Sequence, residues 1–402
     1  MSSPQWQFAA RFRRNAFGWK SDTPILRLKE ALAEIKSAAR ADPLLAADGA
    51  VILLEKLSPA INQVDSSSGA IGSAVCRAIE TLVPLIAAAP STSLVRHRWL
   101  QRLWAAVEDD DVPYLESLTE FWGELCGSPE TASEWADIML PPVQAARQPR
   151  ESHTRYLKET TACLACLYAA RRHDELLALL EQAPFKWWHD HRWGAKALLA
   201  QGKVADAIVY AEASKGLNAP MGAVASFCES ALLDAGQVDE AYARYAMAAV
   251  QGGTNLAVFR SVRKKYPGVP ADTILRDLAA RQPGQQGKWF AAAKDSGQYE
   301  LAIEFARRSP ADPGTLARAA RDFAERQPKF ALDAAMEALK GIAQGYGYGI
   351  TPADVLEAHA AAVRAAAALQ LPADAVGERL HALLAHPGIN GAFILSVLAR
   401  VR

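Results

Sequence analysis

The sequence predicts an all-α fold, an α-solenoid of stacked antiparallel helix pairs. Apolar residues recur every three or four positions along almost the whole chain of 402 residues. No stretch alternates between apolar and polar residues for long enough to indicate a half-buried strand. The stretch 195–246 contains one pattern twice, 34 residues apart, which is the period of a helix-turn-helix repeat. The two copies align Leu198 with Leu232, Gly202 with Gly236, Val204 with Val238 and Ala207 with Ala241.

The repeated positions have a direct structural explanation. Gly202 and Gly236 stand where the first helix of each pair must end and the chain must reverse. This favours a left-handed backbone conformation, which glycine adopts at little cost. Ala207 and Ala241 lie about one turn into the second helix, where a small side chain lets two helices approach closely. Since a single pair cannot bury its apolar stripe, neighbouring pairs must stack.

Two further copies of the pattern are less regular. One places its glycine, Gly297, 61 residues after Gly236. Because 61 is not a multiple of 34, we predict an irregular helical pair in between, over 254–282. The other copy, in 164–183, is weaker and has Arg171 where the others have glycine.

The remaining helices follow one another with short breaks. Asp22-Thr23-Pro24 and Asp42-Pro43 each supply an N-cap and a first-turn proline. The polar stretch 65–69 directly precedes an apolar series with helical spacing, and it predicts a helix start. Further helices are predicted at about 92–108, 112–126, 129–147, 152–171, 328–343, 352–369, 372–385 and 390–401.

The lengths of the predicted helices change along the chain. They shorten and pair after residue 150, and they lengthen again after residue 310. We therefore predict three regions: an N-terminal irregular helical region at 1–150, helical repeats at 151–310, and a C-terminal helical region with a cap at 311–402.

Composition narrows the classes of function. Lys and Arg total 44, and Asp and Glu also total 44, so the average field that would gather a nucleic acid or an acidic membrane surface is absent. The first residues contain no secretory signal, and no window approaches about 18 uninterrupted apolar residues. Five cysteines in a long chain fit buried thiols in a reducing compartment. We expect a cytoplasmic protein with no membrane association.

The densest cluster of aromatic and histidine residues lies at 187–193. Tryptophan and arginine are the residues that most often anchor protein interfaces, so this cluster is the candidate partner-binding site. The alternatives are packing between helix pairs, or a metal or general-base site built on the histidines, which lacks an evident third ligand. The candidate residues are Trp187, Trp188, His189, His191, Arg192 and Trp193.

A second group near the N-terminus combines basic and aromatic side chains. Cations that contact phosphates, together with a ring that stacks on bases, are typical of single-stranded nucleic-acid binding. A docked or frayed chain terminus explains the same residues. The nucleic-acid candidates are Arg11, Arg13, Arg14, Trp19 and Lys20.

Other motifs have simpler structural explanations. Cys163-x-x-Cys166 lies within a helical pattern that has no glycine turn, which predicts buried packing rather than a zinc or redox site. The acidic stretch 108–111 predicts a solvated loop, and 345–349, Gly-Tyr-Gly-Tyr-Gly, predicts a tight helix connection with two packed tyrosines. No P-loop, GxSxG or HExxH pattern occurs. We expect no cofactor, no metal and no enzymatic activity, although a dispersed active site would leave no such signal.

The glycine, alanine and aromatic spacing of residues 195–248 resembles the tetratricopeptide repeat, and by extension 152–310 is tetratricopeptide-like. This resemblance implies a solenoid that is tetratricopeptide-like in the middle and irregular at both ends. Most of the chain also resembles an uncharacterised family of bacterial helical-repeat proteins, some attached to a SWIM-type zinc finger, on the stretches 13–20, 65–69 and 345–349. That family implies a helical fold. The Cys-x-Cys half of the zinc finger is missing here, so no metal site is implied.

These observations favour a non-enzymatic helical-repeat scaffold or adaptor that binds a protein partner of unspecified identity. The alternative is a nucleic-acid-associated helical protein that uses the basic and aromatic N-terminus. An enzyme with a dispersed site is a third hypothesis, and it requires a deep pocket with converging titratable groups.

Overall fold

The computed structural model describes residues 6–147, 157–183, 185–214, 216, 222–250, 252–386 and 391–400. In these residues the chain forms twenty-one α-helices and no β-strand, which confirms the all-α prediction. The chain divides into two compact units, Met1–Pro220 and Met221–Arg402. The three regions predicted from the sequence pattern stay a prediction.

Unit 1 contains ten α-helices in the described residues, and neighbours in the chain pack against each other as stacked pairs. Two 3₁₀ helices, Gln7–Ala10 and Glu116–Phe121, add to them. The α-helices are α1 (Asp22–Ala39), α2 (Pro43–Ile61), α3 (Ala70–Ala88), α4 (Ser93–Glu108), α5 (Trp122–Leu125), α6 (Pro129–Arg147), α7 (Glu159–Ala169), α8 (His173–Glu181), α9 (Trp188–Ala200) and α10 (Val204–Ala213).

Helix α3 is the most apolar long helix of unit 1. By length and composition it is the one helix in the described part of the chain that reaches the threshold for crossing a membrane. Eight of its apolar residues are buried, and the helix contacts α1, α2 and α5. A core helix passes the same test of length and composition. The packing of α3 inside unit 1 therefore explains its apolar composition.

The segment 6–20 is docked on unit 1. Trp6, Phe8, Phe12 and Phe17 are buried. The absence of a side chain at Gly49 of α2 makes room for the Trp6 indole, because a Cβ there would lie 2.3 Å from the ring. Four buried aromatic side chains hold this segment against the core of unit 1.

A buried arginine joins the ends of two helices. Arg96 of α4 is 6 % exposed, and its guanidinium donates hydrogen bonds to the carbonyl oxygens of Ile86 (2.6 Å), Ala89 (2.9 Å) and Leu125 (3.2 Å). These carbonyls lie at or just after the C-terminal ends of α3 and α5, where backbone oxygens lack helical partners. Arg96 thus satisfies backbone groups of two helices from a third.

The acidic stretch 108–111 was predicted to be a solvated loop, but one of its carboxylates is buried. Asp110 is buried, and it accepts hydrogen bonds from the Ser58 hydroxyl and from the Leu115 N–H (2.6 Å). Burial raises the pKa of Asp110. Acidic residues cluster both in solvated loops and at sites where one carboxylate satisfies buried donors, so the sequence could not separate the two cases.

The repeat glycines have the predicted conformation. Gly202, Gly236 and Gly297 have φ of 77°, 74° and 76°, and Arg171, which replaces glycine in the weaker copy, has φ of 59°. The next N–H in each copy closes the helix end on the carbonyl five residues back, as in a Schellman motif. These bonds run from Lys203 to Leu198 (3.0 Å), Gln237 to Leu232 (2.8 Å), Gln298 to Ala293 (2.9 Å) and Arg172 to Leu167 (2.9 Å).

The repeat alanines are also where the pattern predicts. Ala207, Ala241 and Ala302 are each fully buried. Gly194 of α9 shows how close the paired helices come, because a Cβ at this position would lie 2.6 Å from the hydroxyl of Tyr210 on α10. Small residues thus set the spacing of the helix pairs.

Unit 2 contains eleven α-helices within its described residues. The pair predicted over 254–282 is confirmed as α13 and α14. A π-helical turn, Tyr242–Ala246, continues α12, and a 3₁₀ helix, Gln286–Trp289, precedes α15. The α-helices are α11 (Ala223–Asp234), α12 (Val238–Ala241), α13 (Asn255–Lys265), α14 (Ala271–Ala280), α15 (Phe290–Asp295), α16 (Tyr299–Arg308), α17 (Pro313–Phe323), α18 (Pro328–Ala343), α19 (Pro352–Ala368), α20 (Ala375–Leu384) and α21 (Ala392–Leu398).

The glycine and tyrosine connection at 345–349 differs from its prediction. All three glycines have positive φ, as a tight reversal after α18 requires. The tyrosines, however, do not pack: Tyr346 is 46 % exposed and Tyr348 is fully exposed. The chain reverses within so few residues that both rings project from the turn, and the prediction of packed tyrosines was wrong.

Candidate partner-binding groove

Helix α9 divides the predicted partner-binding cluster between its faces. Residues three, four and seven positions apart share one side of a helix, and His189, Arg192, Trp193 and Lys196 have this spacing. These four side chains line cavities of unit 1. Trp188 and His191 are buried and line neither cavity. Trp187 stands at the N-cap position of α9 and is 55 % exposed. Which of the six predicted residues contact a partner stays a prediction.

The α9 face forms one side of a cavity of about 400 Å³, which we call the α7–α9 groove. Its other sides are the 3₁₀ helix Glu116–Phe121, α5 and α7. The rings of Tyr168 and Trp193 form part of the lining, with centroids 5.6 Å apart. The lining residues are Glu120, Phe121, Gly123, Glu124, Ala165, Tyr168, Ala169, Arg192, Trp193 and Lys196.

The groove continues on both sides. Gly123, Glu124 and Ala169 also line a cavity of about 520 Å³ that extends to α3 and the start of α6. Glu120 also lines a third cavity, of about 250 Å³, which contains His189. The three cavities therefore adjoin through shared residues, with the α7–α9 groove in the middle.

Gly123 has a specific role in this arrangement. A Cβ at this position would lie 2.2 Å from the carbonyl oxygen of Ala165 and 2.8 Å from the Cβ of Ala169. Any larger residue would push α5 away from α7. Glycine is therefore required for the close approach of the two helices that carry the groove.

The two cations of the groove differ in their contacts. Arg192 forms an ion pair with Glu120, at 2.8 Å between Nη2 and Oε2. Lys196 is half-buried, and its Nζ lies 4.4 Å from the centroid of the Trp193 ring, in a cation–π contact. Within the described residues its ammonium has no hydrogen-bond acceptor and no ion pair. Burial, and then the neighbouring Arg192, lower the pKa of Lys196.

The cavity beside the groove contains His189, Thr161, Cys76 and Ser117. His189 Nε2 lies 3.3 Å from Thr161 Oγ1, whereas its Nδ1 lies 3.8 Å from Glu120 Oε1. The second distance is too long for a hydrogen bond, so Glu120 does not orient the imidazole as the third member of a nucleophile relay would. The contacts support packing rather than nucleophilic catalysis.

His191 lies away from the groove and from His189. It is 3 % exposed, and its Nδ1 lies 2.7 Å from the hydroxyl of Tyr210 and 3.4 Å from that of Ser214. Its Nε2 is buried and has no partner among the described residues. Burial lowers the pKa of His191 to about 4. Because His189 and His191 face different surroundings, they do not form a pair of metal ligands.

The cysteine motif in α7 is part of the core. Cys163 and Cys166 are fully buried, which confirms the packing prediction, and burial raises the pKa of the Cys163 thiol to about 12. Across the described ranges, no group of three or more His, Cys, Asp or Glu side chains has an arrangement that could hold a metal ion.

The N-terminal candidates for nucleic-acid binding are mostly exposed. Arg11 forms an ion pair with Glu30 at 2.5 Å. Arg13, Arg14 and Lys20 are exposed, and Trp19 is 72 % exposed. The segment that carries them is anchored through the buried aromatic residues described above. The Trp19 ring is thus exposed to solvent on a segment that packs against the core of unit 1.

Part of the groove lies in the cluster predicted from the sequence. Arg192 and Trp193 of the groove, and His189 of the adjoining cavity, belonged to the predicted cluster, while Lys196, Glu120 and Tyr168 were missed. The helical spacing from His189 to Lys196 is a signal that could have added the lysine. Glu120 and Tyr168 come from other helices, and only the packing of the chain brings them to α9.

Comparison with known proteins assigns no family to the chain. No protein-family model and no curated protein matches the sequence. Among solved structures, a chain of the crystal structure of the APC/C hetero-tetramer Cut9–Hcn1 is similar at 12 % sequence identity, with 94 % of this chain and 81 % of that chain covered and a TM-score of 0.22. A likeness at this TM-score carries no argument about this protein. The chain is an all-helical repeat protein by its own helices and turns.

Proposed function

We propose that this protein is a non-enzymatic helical-repeat scaffold or adaptor that binds a protein partner through the α7–α9 groove. The observation that supports this proposal is the groove itself, an aromatic and apolar lining bordered by charged side chains. Protein interfaces commonly combine an apolar, aromatic centre with a polar rim, and their anchors are enriched in Trp, Tyr and Arg.

The adjoining cavities favour a macromolecular partner over a small molecule. Volumes of about 250, 400 and 520 Å³ follow one another through shared lining residues. A partner segment of several residues can occupy such a series, whereas a small ligand uses one enclosed pocket. We place this function in the cytoplasm, since all five cysteines are free and four of them are buried.

The proposal is tested by blocking the groove. Glu124 is exposed and lines two of the cavities, so Glu124→Trp fills the groove without removing a core contact. Glu80 of α3 is exposed and lines none of the three cavities, so Glu80→Trp is the matched control. We expect affinity capture with quantitative mass spectrometry to recover a stoichiometric protein with the wild type and with Glu80→Trp, but not with Glu124→Trp. Equal recovery by all three proteins would place the binding elsewhere.

Two exposed tryptophans separate this proposal from the nucleic-acid alternative. The alternative is supported by the exposure of Trp19, Arg13, Arg14 and Lys20. Partner capture should be reduced by Trp187→Ala and unchanged by Trp19→Ala. Binding to single-stranded DNA or RNA that falls with added salt, and that is lost in Trp19→Ala or in Arg13→Gln/Arg14→Gln, would instead support the alternative.

A further inference from the structure

Lys196 is the charged group of the groove that its surroundings leave unmatched. Its ammonium is half-buried beside Trp193, and among the residues that the structure describes no carboxylate or carbonyl oxygen accepts a hydrogen bond from it. A partly desolvated ammonium without an acceptor is unfavourable in the free protein. An anion that reaches it therefore gains a charge-assisted hydrogen bond and removes this cost.

The carboxylates of the groove do not match this charge. Glu120 pairs with Arg192, and through space it acts on Lys196 less strongly than burial and Arg192 do. Glu124 is exposed and is not among the groups that shift the pKa of Lys196. The groove thus offers one engaged cation and one available cation.

The α9 side of the groove also has more donors than acceptors. The Nε of Arg192 and the indole N–H of Trp193 are buried without hydrogen-bond partners in the described part of the chain. These buried groups do not themselves reach a ligand, whereas Lys196 lines the cavity. Its unmatched positive charge favours a negative ligand group over a neutral one.

The position of Lys196 within the series of cavities indicates which kind of carboxylate fits. Lys196 lines the middle cavity, and further cavities continue through Glu120 on one side and through Gly123 and Glu124 on the other. A chain that crosses the middle cavity has room on both sides. An acidic side chain inside a segment fits this arrangement better than a carboxylate at the end of a chain.

We propose that the α7–α9 groove binds an extended segment of a protein partner that presents an internal aspartate or glutamate side chain to Lys196, next to an apolar side chain that packs on Tyr168 and Trp193. This inference rests on the proposed function, because it names the chemistry of the partner at that site. The ammonium supplies specificity for the acid, and the two rings supply apolar contact area.

The test begins with a random-peptide phage library selected against the full-length protein. The wild type and Lys203→Gln are expected to enrich peptides that share an acidic residue beside an apolar one. Lys203 is an exposed lysine in the turn before α10, so its variant is the matched control for removing one positive charge. Lys196→Gln should lose the preference for the acid, and thermal unfolding should show that both variants remain folded.

The second step measures the acidic residue directly. An enriched peptide is synthesised with both ends capped, with Glu→Gln at the shared position, and with a free C-terminal carboxylate. Fluorescence anisotropy should show about a tenfold weaker Kd for the Gln peptide with the wild type. Little difference between the two peptides is expected with Lys196→Gln. Freeing the C-terminus should not restore the affinity of the Gln peptide.

The outcomes separate this inference from the proposed function. Enriched peptides that bind the groove without any acidic preference would overturn the inference and leave the scaffold function standing. A free C-terminus that replaces the acidic side chain would also overturn it, in favour of a terminal carboxylate. No enrichment by any of the proteins, together with equal capture by Glu124→Trp and the wild type, would contradict both.

Discussion

Two lysines, one in each unit, differ in their surroundings: Lys265 is exposed and pairs with a buried carboxylate, whereas Lys196 is half-buried. In unit 2, Lys265 donates to the buried carboxylate of Glu229 at 2.6 Å, and the hydroxyl of Tyr266 donates to the same carboxylate at 2.7 Å. In unit 1, Lys196 lies over an aromatic ring and has no such acceptor within the described ranges. The first arrangement is complete within its unit and has a structural role. The second lacks an acceptor of its own, and the proposed acidic segment would supply one.

His191 is an intermediate case. One of its nitrogens contacts Tyr210, and the other is buried without a partner among the described residues. The three groups therefore differ in their hydrogen-bond partners. The Glu229 carboxylate has a partner on each oxygen, the His191 imidazole has a partner on one nitrogen, and the Lys196 ammonium has no acceptor among the described residues. Removing the first should damage stability most, and changing the last should affect binding more than stability.

The largest effect is expected at Glu229. Glu229→Ala leaves the fully buried Tyr266 hydroxyl without its acceptor and opens space in the core, so the free energy of unfolding should fall by about 3 kcal/mol. The exposed Lys265 ammonium is hydrated in the variant and adds little to this loss. Urea unfolding measures this loss, and hydrogen exchange should locate it in α11 and α13. Glu300→Ala, at an exposed position of α16, is the control and should stay within about 0.5 kcal/mol of the wild type. A loss of that small size at Glu229 would remove the contrast between the two lysines.

The next effect is the pH dependence that comes from His191. Burial lowers its folded-state pKa from 6.5 to about 4, so the unfolded chain binds more protons between these values. The contribution of His191 to the free energy of unfolding is therefore fully present above about pH 6.5. It is lost as the pH falls toward 4, to a limit of about 3 kcal/mol. Urea unfolding across this range should show the loss in the wild type and a flatter profile in His191→Gln. Parallel profiles would mean that His191 does not control the acid response. The raised pKa values of Asp110 and Asp190 act in the opposite direction, because they favour the folded state as the pH falls.

A smaller effect is expected when Glu120 is neutralised. Glu120→Gln removes the carboxylate that pairs with Arg192 and that also acts on Lys196 through space. The acidic peptide should then bind roughly threefold more tightly, which is the scale of one partly exposed ion pair. Anisotropy titration measures the change. Glu124→Gln, which lines the same groove without acting on Lys196, should change the affinity less, and an equal change would indicate a general effect of net charge.

The smallest effect on stability is expected at Lys196. Lys196→Gln loses a cation–π contact with Trp193, but it also removes a partly buried charge, and the two terms oppose each other. The unfolding free energy should therefore stay within about 1 kcal/mol of the wild type, while the preference for an acidic peptide is lost. A loss of stability comparable to that of Glu229→Ala would show that Lys196 has a structural role after all.

The groove could be predicted only in part because its residues come from several helices. The cluster at 187–193 contains Arg192 and Trp193 of the groove and His189 of the adjoining cavity, and the helical period could have added Lys196. Nothing in the sequence near Glu120 or Tyr168 indicates that they face α9, since the two residues reach it through the packing of Glu116–Phe121 and α7. The sequence also did not show that Trp188 and His191 would be buried while Trp187 stayed exposed.

By itself, the sequence determined the features that depend on neighbours in the chain. Helix periods, capping prolines and the glycines at positive φ follow from local backbone chemistry, and the structure confirms the repeat turns at Gly202, Gly236 and Gly297. Tertiary structure alone decided which polar groups find partners. Asp110 is satisfied by Ser58 across the fold, Tyr348 projects into solvent, and Lys196 has no acceptor within the described residues. The physical reason is that hydrogen-bond partners and burial depend on residues far apart in sequence, which local patterns do not encode.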